Sequence, residues 1–534
     1  MSSRPSPTSS PGALGLALLD ALRAAGRWIL DWLTELVGGP ARGRVIFLFA
    51  CVLALSSADT STLGAVAGDL QPALGISNTE LGLLNSVTLL VGAVAVVPLG
   101  LMVDRLSRIP VLAASIFIWS VAMFLSGAAG SYSTLLVYRL ALGAVAATAG
   151  PAIASLTGDY FAPEERGRVY GFILAGELAG SAVGFLISGS VAGLLSWRFA
   201  FWLLAIGGFA LAWAIWRTVP EPRRGGRSWL APGSLELVVG GTREGEGGEE
   251  TVPEREDDLA QRAAMRRGLE PFDDLVLDRD PARMSLPNAV RYVLRVRTNI
   301  NLIIASALGY FFLAGLQTFA VIFVRGHYDV GQTEATGILG LLVVGAVAGV
   351  LVSGRLADLL LRRGVVDARL RVPGVAYVAA AILILPALVG TSLTPWIWFS
   401  VAGAAALSAA NPPLDAARLD IMPSGLWGRA ESVRTFLRSL AQAVAPLLFG
   451  AIADLVAGVT PEQAPIGNQP GGVSAGTATG LQVAFLLMLI PVAAAGVVLH
   501  RGRATYGRDV ATAAVSEARI RKAKAGDDRE RARH

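Results

Sequence analysis

The stretch Gly100-Leu-Met-Val-Asp104-Arg105-Leu-Ser-Arg108 closes one long apolar run and precedes another. A second copy, Gly354-Arg-Leu-Ala-Asp358-Leu-Leu-Leu-Arg362-Arg363, follows 254 positions later. Each sets a glycine, an aspartate four residues on and then arginine where an apolar segment ends. Glycine lets two helices approach closely. The carboxylate and guanidinium groups make a charge cluster where the chain leaves an apolar medium for water. One such copy could arise by chance; two in equivalent places point to a repeated unit. The repeat extends further: Pro151, Asp159, Gly167, Arg168 and Gly189 recur at a spacing of 261 as Pro412, Asp420, Gly428, Arg429 and Gly450.

Composition places this repeat in a membrane. Of 534 residues, 53% are hydrophobic and 16% charged, against roughly 25% charge in an average soluble domain. Twelve segments come near the ~20 apolar residues that a bilayer crossing requires. They cover 44–68, 80–103, 109–129, 132–157, 168–194 and 198–217, then 299–325, 333–359, 371–391, 394–421, 429–456 and 477–500. The expected fold is therefore an all-α membrane protein with twelve transmembrane helices in two pseudo-symmetric six-helix halves, 44–217 and 299–500. Arginine sets the orientation. With the N-terminus inside, Arg42, Arg44, Arg105, Arg108, Arg166, Arg168, Arg362, Arg363, Arg369, Arg371, Arg429, Arg501 and Arg503 all fall on the cytoplasmic side. The outer loops receive little beyond Arg198 and Arg325. The positive-inside rule thus puts both termini in the cytoplasm, and the expected location is the plasma membrane.

The remaining segments are polar. Residues 1–43 combine a Ser/Pro-rich start with a helical pattern over 12–37, whose charges Asp20, Arg23, Arg27, Asp31 and Glu35 share one face. Such a helix lies at the interface or packs on the bundle's own flank. Residues 218–298 form a cytoplasmic linker. Its Glu244–Asp258 part is acidic and glycine-rich, and Ser285–Thr298 reads as a surface helix, either regulatory or a plain connector. Residues 501–534 make a basic tail.

Ionisable groups at membrane depth are costly and usually face a cavity or one another. Asp59 and Arg139 are such groups, either exchanging partners during a cycle or forming a fixed salt bridge between the first and fourth spans. Glu177 and Arg438 occupy equivalent positions 261 apart; Arg438 either enters a cavity or snorkels to the surface. Tyr310, Phe311, Phe319 and Asp415 are candidates for lining a substrate site. One cysteine, Cys51, and scattered His327, His500 and His534 give no metal cluster. No cofactor is expected, no nucleophile–base set suggests an enzyme, and the net charge of +5 is no nucleic-acid signal because the bases sit at segment ends.

The paired Gly–Asp–Arg motifs resemble the loops between helices 2 and 3 and helices 8 and 9 of the major facilitator superfamily. Ser107 replaces the family's usual glycine, and Leu359 a usual base. Asp59-Thr60 resembles the helix 1 aspartate motif of proton-coupled members, and Arg139 with Gly143 their helix 4 Arg-x-x-x-Gly motif. The resemblance implies that helices 1, 4, 7 and 10 line a central cavity. It also implies a cytoplasmic gate built from Gly100, Asp104, Arg105, Arg108, Asp159, Arg166, Arg168, Gly354, Asp358, Arg362, Asp420 and Arg429. In that gate Asp104 faces the helix 11 start from Gly428, and Asp358 the helix 5 start near Arg166–Arg168.

Gly75–Leu84, Asp159-Tyr-Phe-Ala-Pro-Glu-Glu-Arg166-Gly-Arg168, Trp197-Arg198 and Pro446-Leu-Leu-Phe-Gly450 look more like Spinster-type transporters. Those usually carry a helix 4 glutamate where this chain has Ala146. Gly176, Gly180 and Gly184 match the facilitator helix 5 glycine pattern, with Ser181 where drug antiporters have proline. The expected function is alternating-access transport of a small organic, amphiphilic or lysolipid-like solute, coupled to protons. The alternatives are a multidrug/proton antiporter or a transport-inactive sensor. Expected partners are that small-molecule or amphiphilic substrate, protons and the lipid bilayer, with no nucleic acid; the chain is expected to be a monomer.

Overall fold

The computed structural model describes residues 39–161, 163–222, 230, 259–279, 281, 284–459 and 473–531. The expected helix over 12–37 and the acidic stretch 244–258 lie outside these residues. Among the described residues, 12 helices are long and apolar enough to cross a membrane. The first six are α1 (Pro40–Leu74), α2 (Asn78–Arg105), α3 (Arg108–Gly127), α4 (Tyr132–Ala146, then Ala149–Tyr160), α5 (Pro163–Leu194) and α6 (Trp197–Thr218). Two short linker helices, Leu259–Arg266 and Leu286–Arg295, precede the second six. Those are α7 (Arg297–Tyr328), α8 (Gln332–Arg362), α9 (Ala368–Val389), α10 (Leu393–Ser408, then Asn411–Asp420), α11 (Trp427–Val459) and α12 (Ala475–Arg531).

The halves repeat the same packing. α1 meets α5, α2 meets α4 and α3 meets α6; α7 meets α11, α8 meets α10 and α9 meets α12. The halves join through α1 and α7, α2 and α11, and α5 and α8. An even number of crossings puts Pro40, the linker and the end of α12 on one face, here called the terminal face.

Proline explains the breaks in α4 and α10. A proline ring collides with the carbonyl four residues earlier and offers no N–H. Pro151 sets that collision at Ala147, and Pro413 at Ala409, which are the positions where the two helices are interrupted. The sequence pattern carries both spans through as single helices; the structure shows each as two segments about a bend. The pattern also ends the last span at 500, whereas α12 continues to Arg531. The continuation is held by burial of Tyr506, Val510 and Ala513. It is also held by linker backbone donors, Phe272 N to Thr512 Oγ1 at 2.8 Å and Leu277 N to Ser516 Oγ at 3.0 Å.

Small residues set the spacing inside the first half. A Cβ added at Gly176, Gly180 or Gly184 would strike the backbone of Ala50, Ala54 or Ala58 respectively. Glycine every fourth residue on α5 thus meets alanine every fourth residue on α1, the close approach expected where packing rather than hydrophobicity drives association. Hydroxyl pairs continue the seam, Ser61 with Ser181 at 2.8 Å and Thr62 with Ser188 at 2.7 Å. The second half fills its corresponding seam with rings instead: Phe312, Phe319, Phe449 and Phe485 form an aromatic cluster.

Gly180→Leu should abolish the monodisperse peak in fluorescence-detected size exclusion, because backbone cannot yield as a side chain can. Gly207→Leu, where a Cβ meets nothing within 4 Å, should leave it intact. Equal behaviour of the two variants would show that the α1–α5 approach does not limit folding.

Candidate functional site

Two buried arginine clusters stand at equivalent places on the terminal face. Arg108 opens α3 and is ion-paired to Asp159 at the end of α4. Its Nε donates to Glu221 at 3.0 Å, and its remaining nitrogens to Ser155 Oγ at 3.2 Å and to the Pro222 carbonyl at 2.8 Å. Glu221 also accepts the Ile109 N–H at 2.7 Å, so a carboxylate sits at the positive end of the α3 dipole. In the second half Arg369 pairs with Asp420, reaches Asp358 at 3.5 Å, and Asp420 accepts the Tyr506 hydroxyl.

The second motif therefore needs a correction. The sequence pattern gives its base role to Arg362, but Arg362 is exposed and Arg369 takes the carboxylates. The reason is geometric: α8 runs on to Arg362, and only the start of the next helix lies against the end of α10. The signal was present, since Arg369 follows Arg108 at the same spacing of 261 that relates Asp420 to Asp159.

Other members of the expected gate divide. The side chains of Gly100, Asp104, Arg105, Arg166, Arg168 and Gly428 lie outside the described residues. Gly354 faces Pro412, the nearest group to a Cβ built there. Arg429 donates to the linker carbonyls of Pro281 at 3.1 Å and Met284 at 3.0 Å.

Deeper in the bundle, Arg139 and Asp59 are both buried and form an ion pair at 2.9 Å. The guanidinium also lies 5.2 Å from the Phe201 ring centre, so the pair ties α1 to α4 and rests on α6. Glu177 is exposed on α5, yet close enough to Arg438 of α11 to feel its charge. These two residues belong to opposite halves, so they border the space between them. Arg438 stacks on Tyr310, 4.4 Å from the ring centre, and its buried Nε has no hydrogen-bond partner among the described residues. One turn away, Arg434 binds Asp415 and Glu431, each at 3.0 Å, and Glu431 also pairs with Arg418. Phe311 is half-buried on the same helix as Tyr310. Phe319 is fully buried and stacked on Phe449, which corrects its expected place on the substrate wall. It is packing inside the second half.

The opposite end of the bundle carries a set of residues that the sequence pattern did not single out. Asp454 of α11 accepts four hydrogen bonds from the first turn of α2. They come from Asn78 N and Nδ2 at 3.2 and 2.7 Å and from Thr79 N and Oγ1 at 2.7 and 2.5 Å. Nearby, Asn85 donates to Thr318 at 2.7 Å, and Leu447 N to Ser86 Oγ at 3.2 Å. Arg325, expected in an outer loop, is buried in the last turn of α7, 3.4 Å from Asp69 and 2.9 Å from Gln332. Gln332 in turn donates to the Ala65 carbonyl. These bonds close the two halves at the end away from the linker.

Comparison with known proteins bears on this geometry. A family model described as Major Facilitator Superfamily matches residues 49–446. The probable L-galactonate transporter of Escherichia coli (strain K12) is 27% identical over 168 residues, 32% of this chain and 37% of that protein. The probable galactarate/D-glucarate transporter GudP of Bacillus subtilis (strain 168) is 26% identical over 187 residues, 34% of this chain and 41% of that protein. The chain thus spans less than half the length of these curated relatives. The crystal structure of a bacterial homolog to the human lysosomal transporter Spinster, inward-facing and unoccupied, shares the fold. Its TM-score is 0.70 at 20% identity, covering 88% of this chain and 98% of that one.

Asp454→Ala should free the first turn of α2 and loosen the far end. A lost carboxylate cap is worth about 0.5–2 kcal/mol, so unfolding should occur at lower temperature. In a Cys51→Ala background, spin labels at positions 73 and 458 should show a longer-distance population. A distribution identical to that of the parent would remove Asp454 from the closure.

Proposed function

The chain belongs to the Major Facilitator Superfamily, and we propose that it moves a small organic solute bearing an acidic group, amphiphilic or lysolipid-like, by proton-coupled alternating access. The observation that carries this reading is Arg438. A guanidinium stacked on Tyr310, whose buried Nε has no hydrogen-bond partner among the described residues, can receive an anion between the halves, with Glu177 of the other half near enough to feel the same charge. A carboxylate or phosphate there gains charge-assisted hydrogen bonds. The two curated relatives are named for galactonate and for galactarate and glucarate, all of them acids. The Tyr310 ring beside Arg438 suits the apolar part of such a solute.

Asp59 is the proton carrier in this reading. A proton on its carboxyl cancels the attraction that holds Arg139, so α1 and α4 separate at one stage of the cycle and rejoin at another. The buried pair at 2.9 Å is the deprotonated stage. The terminal face is cytoplasmic, and its gate closes when Asp104 meets the start of α11, opposite to the clamp built on Asp454. Only one end can be clamped at a time, because a solute must reach Arg438 from each side in turn.

Proteoliposomes loaded with sugar acids or lysophospholipids test both assignments. Arg438→Ala should weaken solute affinity roughly tenfold to a hundredfold, the loss of about 1.5–3 kcal/mol from a hydrogen bond to a charged group. Asp59→Asn should abolish gradient-driven movement and leave solute exchange partly intact. Wild-type gradient-driven rates in Asp59→Asn would assign the proton to another group, and unchanged affinity in Arg438→Ala would move the anion site. Orientation is checked separately by membrane-impermeant labelling of a cysteine at Ser234, which should react only in inverted vesicles or permeabilised cells.

A further inference from the structure

A groove between α9 and α12 opens on the outer surface of the second half, with a cavity volume of about 430 Å³. Two glycines make it. A Cβ on Gly496 would strike the Gly374 carbonyl and Val378, so the helices cross closely there and leave a furrow beside the crossing. Val375, Val378, Ile382 and Val497 form its walls and are exposed, as apolar residues facing lipid are. One end is different. Arg371 opens α9, while His500 and Arg503 lie where α12 passes the terminal face.

The charged end is built rather than incidental. Asp367 pairs with Arg503 and lies 3.3 Å from Arg371. Arg503 also donates to His500 Nδ1 at 3.0 Å, which leaves the other ring nitrogen of a neutral imidazole as a donor. Burial alone would raise the Asp367 carboxyl, but hydrogen bonds and charge from Arg503 and Arg371 outweigh it and hold the group below the usual carboxylate range. Asp367 therefore stays ionised near neutral pH. Two guanidinium groups against one carboxylate leave one positive charge, which a single phosphodiester would neutralise. The length also fits. Arg371 to Ile382 is eleven residues, or ~16 Å at ~1.5 Å per residue. That is about half of a ~30 Å hydrocarbon core, the depth of one leaflet.

We propose that this groove binds one anionic phospholipid from the leaflet on the terminal face. Its phosphate sits on Arg371, Arg503 and His500, and an acyl chain runs along Val375, Val378, Ile382 and Val497. The lipid would bridge α9 to α12 on the side away from the solute path. Asp367 positions both arginines and meets the phosphate only through them.

Delipidated full-length protein in detergent, titrated with phosphatidylglycerol, phosphatidylcholine or inorganic phosphate and followed by native mass spectrometry, tests this. One phosphatidylglycerol should be retained roughly tenfold more tightly than phosphatidylcholine, and phosphate alone should leave the unfolding temperature unchanged. Arg371→Gln, which keeps the Arg503–Asp367 pair, should weaken phosphatidylglycerol about fivefold, the share expected of one base at a membrane surface. Val378→Trp should remove the lipid by filling the furrow with every charge in place. Equal retention of both lipids would reduce the groove to ordinary lipid contact and overturn the proposal. So would stabilisation by phosphate equal to that by the lipid, or phosphatidylglycerol binding unchanged in Val378→Trp. None of these readouts depends on transport or on Arg438.

Discussion

A guanidinium inside an apolar bundle must be given a carboxylate, and this molecule is arranged around that demand. The cost of an unpaired charge at depth is several kcal/mol, so each buried arginine fixes which helix ends lie together. Arg108 binds Asp159, Arg369 binds Asp420, Arg139 binds Asp59 and Arg325 binds Asp69. The first two pairs join neighbouring helices within a half and keep the terminal face of each half rigid. Arg139 fastens α1 to α4, and Arg325 fastens α7 to α1 across the two halves. Arg438 departs from the pattern. It is stacked on an aromatic ring with a carboxylate on the opposite half, which is why it, and none of the paired arginines, is assigned to the solute.

The two halves share a plan but not a chemistry. By the 261 spacing the counterpart of Asp454 is Gly193, and by the 254 spacing the counterpart of Asn78 is Gln332. One far-end seam is thus a carboxylate capping a helix start, and the other is a glycine beside Gln332 and Thr333. The first is held by charge-assisted hydrogen bonds; the second is held by the bond from Gln332 to the Ala65 carbonyl. Likewise Ser188, which bonds Thr62, corresponds to Phe449, the centre of an aromatic cluster. Pseudo-symmetry therefore sets where the helices go, and the substitutions within it decide which seam holds.

The spans were legible because a bilayer demands length and apolarity, and those are countable along a chain. The Asp59–Arg139 pair was legible because charges at depth are rare. Arg369 was missed by following the 254 spacing past Asp358, where α8 is longer than α2 before the next helix starts. Asp454 was missed because an acid near the end of a span reads as a solvent-facing charge until the partner helix is placed against it. Phe319 illustrates the converse: nine residues after Tyr310 is roughly two and a half helical turns, which sets it on the opposite face of α7, and there it packs on Phe449. The continuation of α12 was hidden by Arg501 and Arg503, which mark a membrane exit without marking a helix end.

The linker belongs to both halves separately. Its first residues, Glu221 and Pro222, complete the Arg108 cluster, and Leu230 is buried against the first half with its N–H on the Tyr160 carbonyl. Its later residues belong to the second half. Ala260, Ala264 and Leu275 join that core, and Phe272 lies under Arg508, 3.9 Å from the guanidinium. Pro281 and Met284 hold Arg429 at the start of α11. Each half thus holds its own part of the linker. The chain between Leu230 and Leu259 has 29 peptide steps, enough to span up to ~100 Å at ~3.3–3.6 Å each. The bonds that tie one half to the other are those of Asp454 with the start of α2, of Arg325 with Asp69 and of Gln332 with the Ala65 carbonyl, whereas the Arg108 and Arg369 clusters act within their own halves.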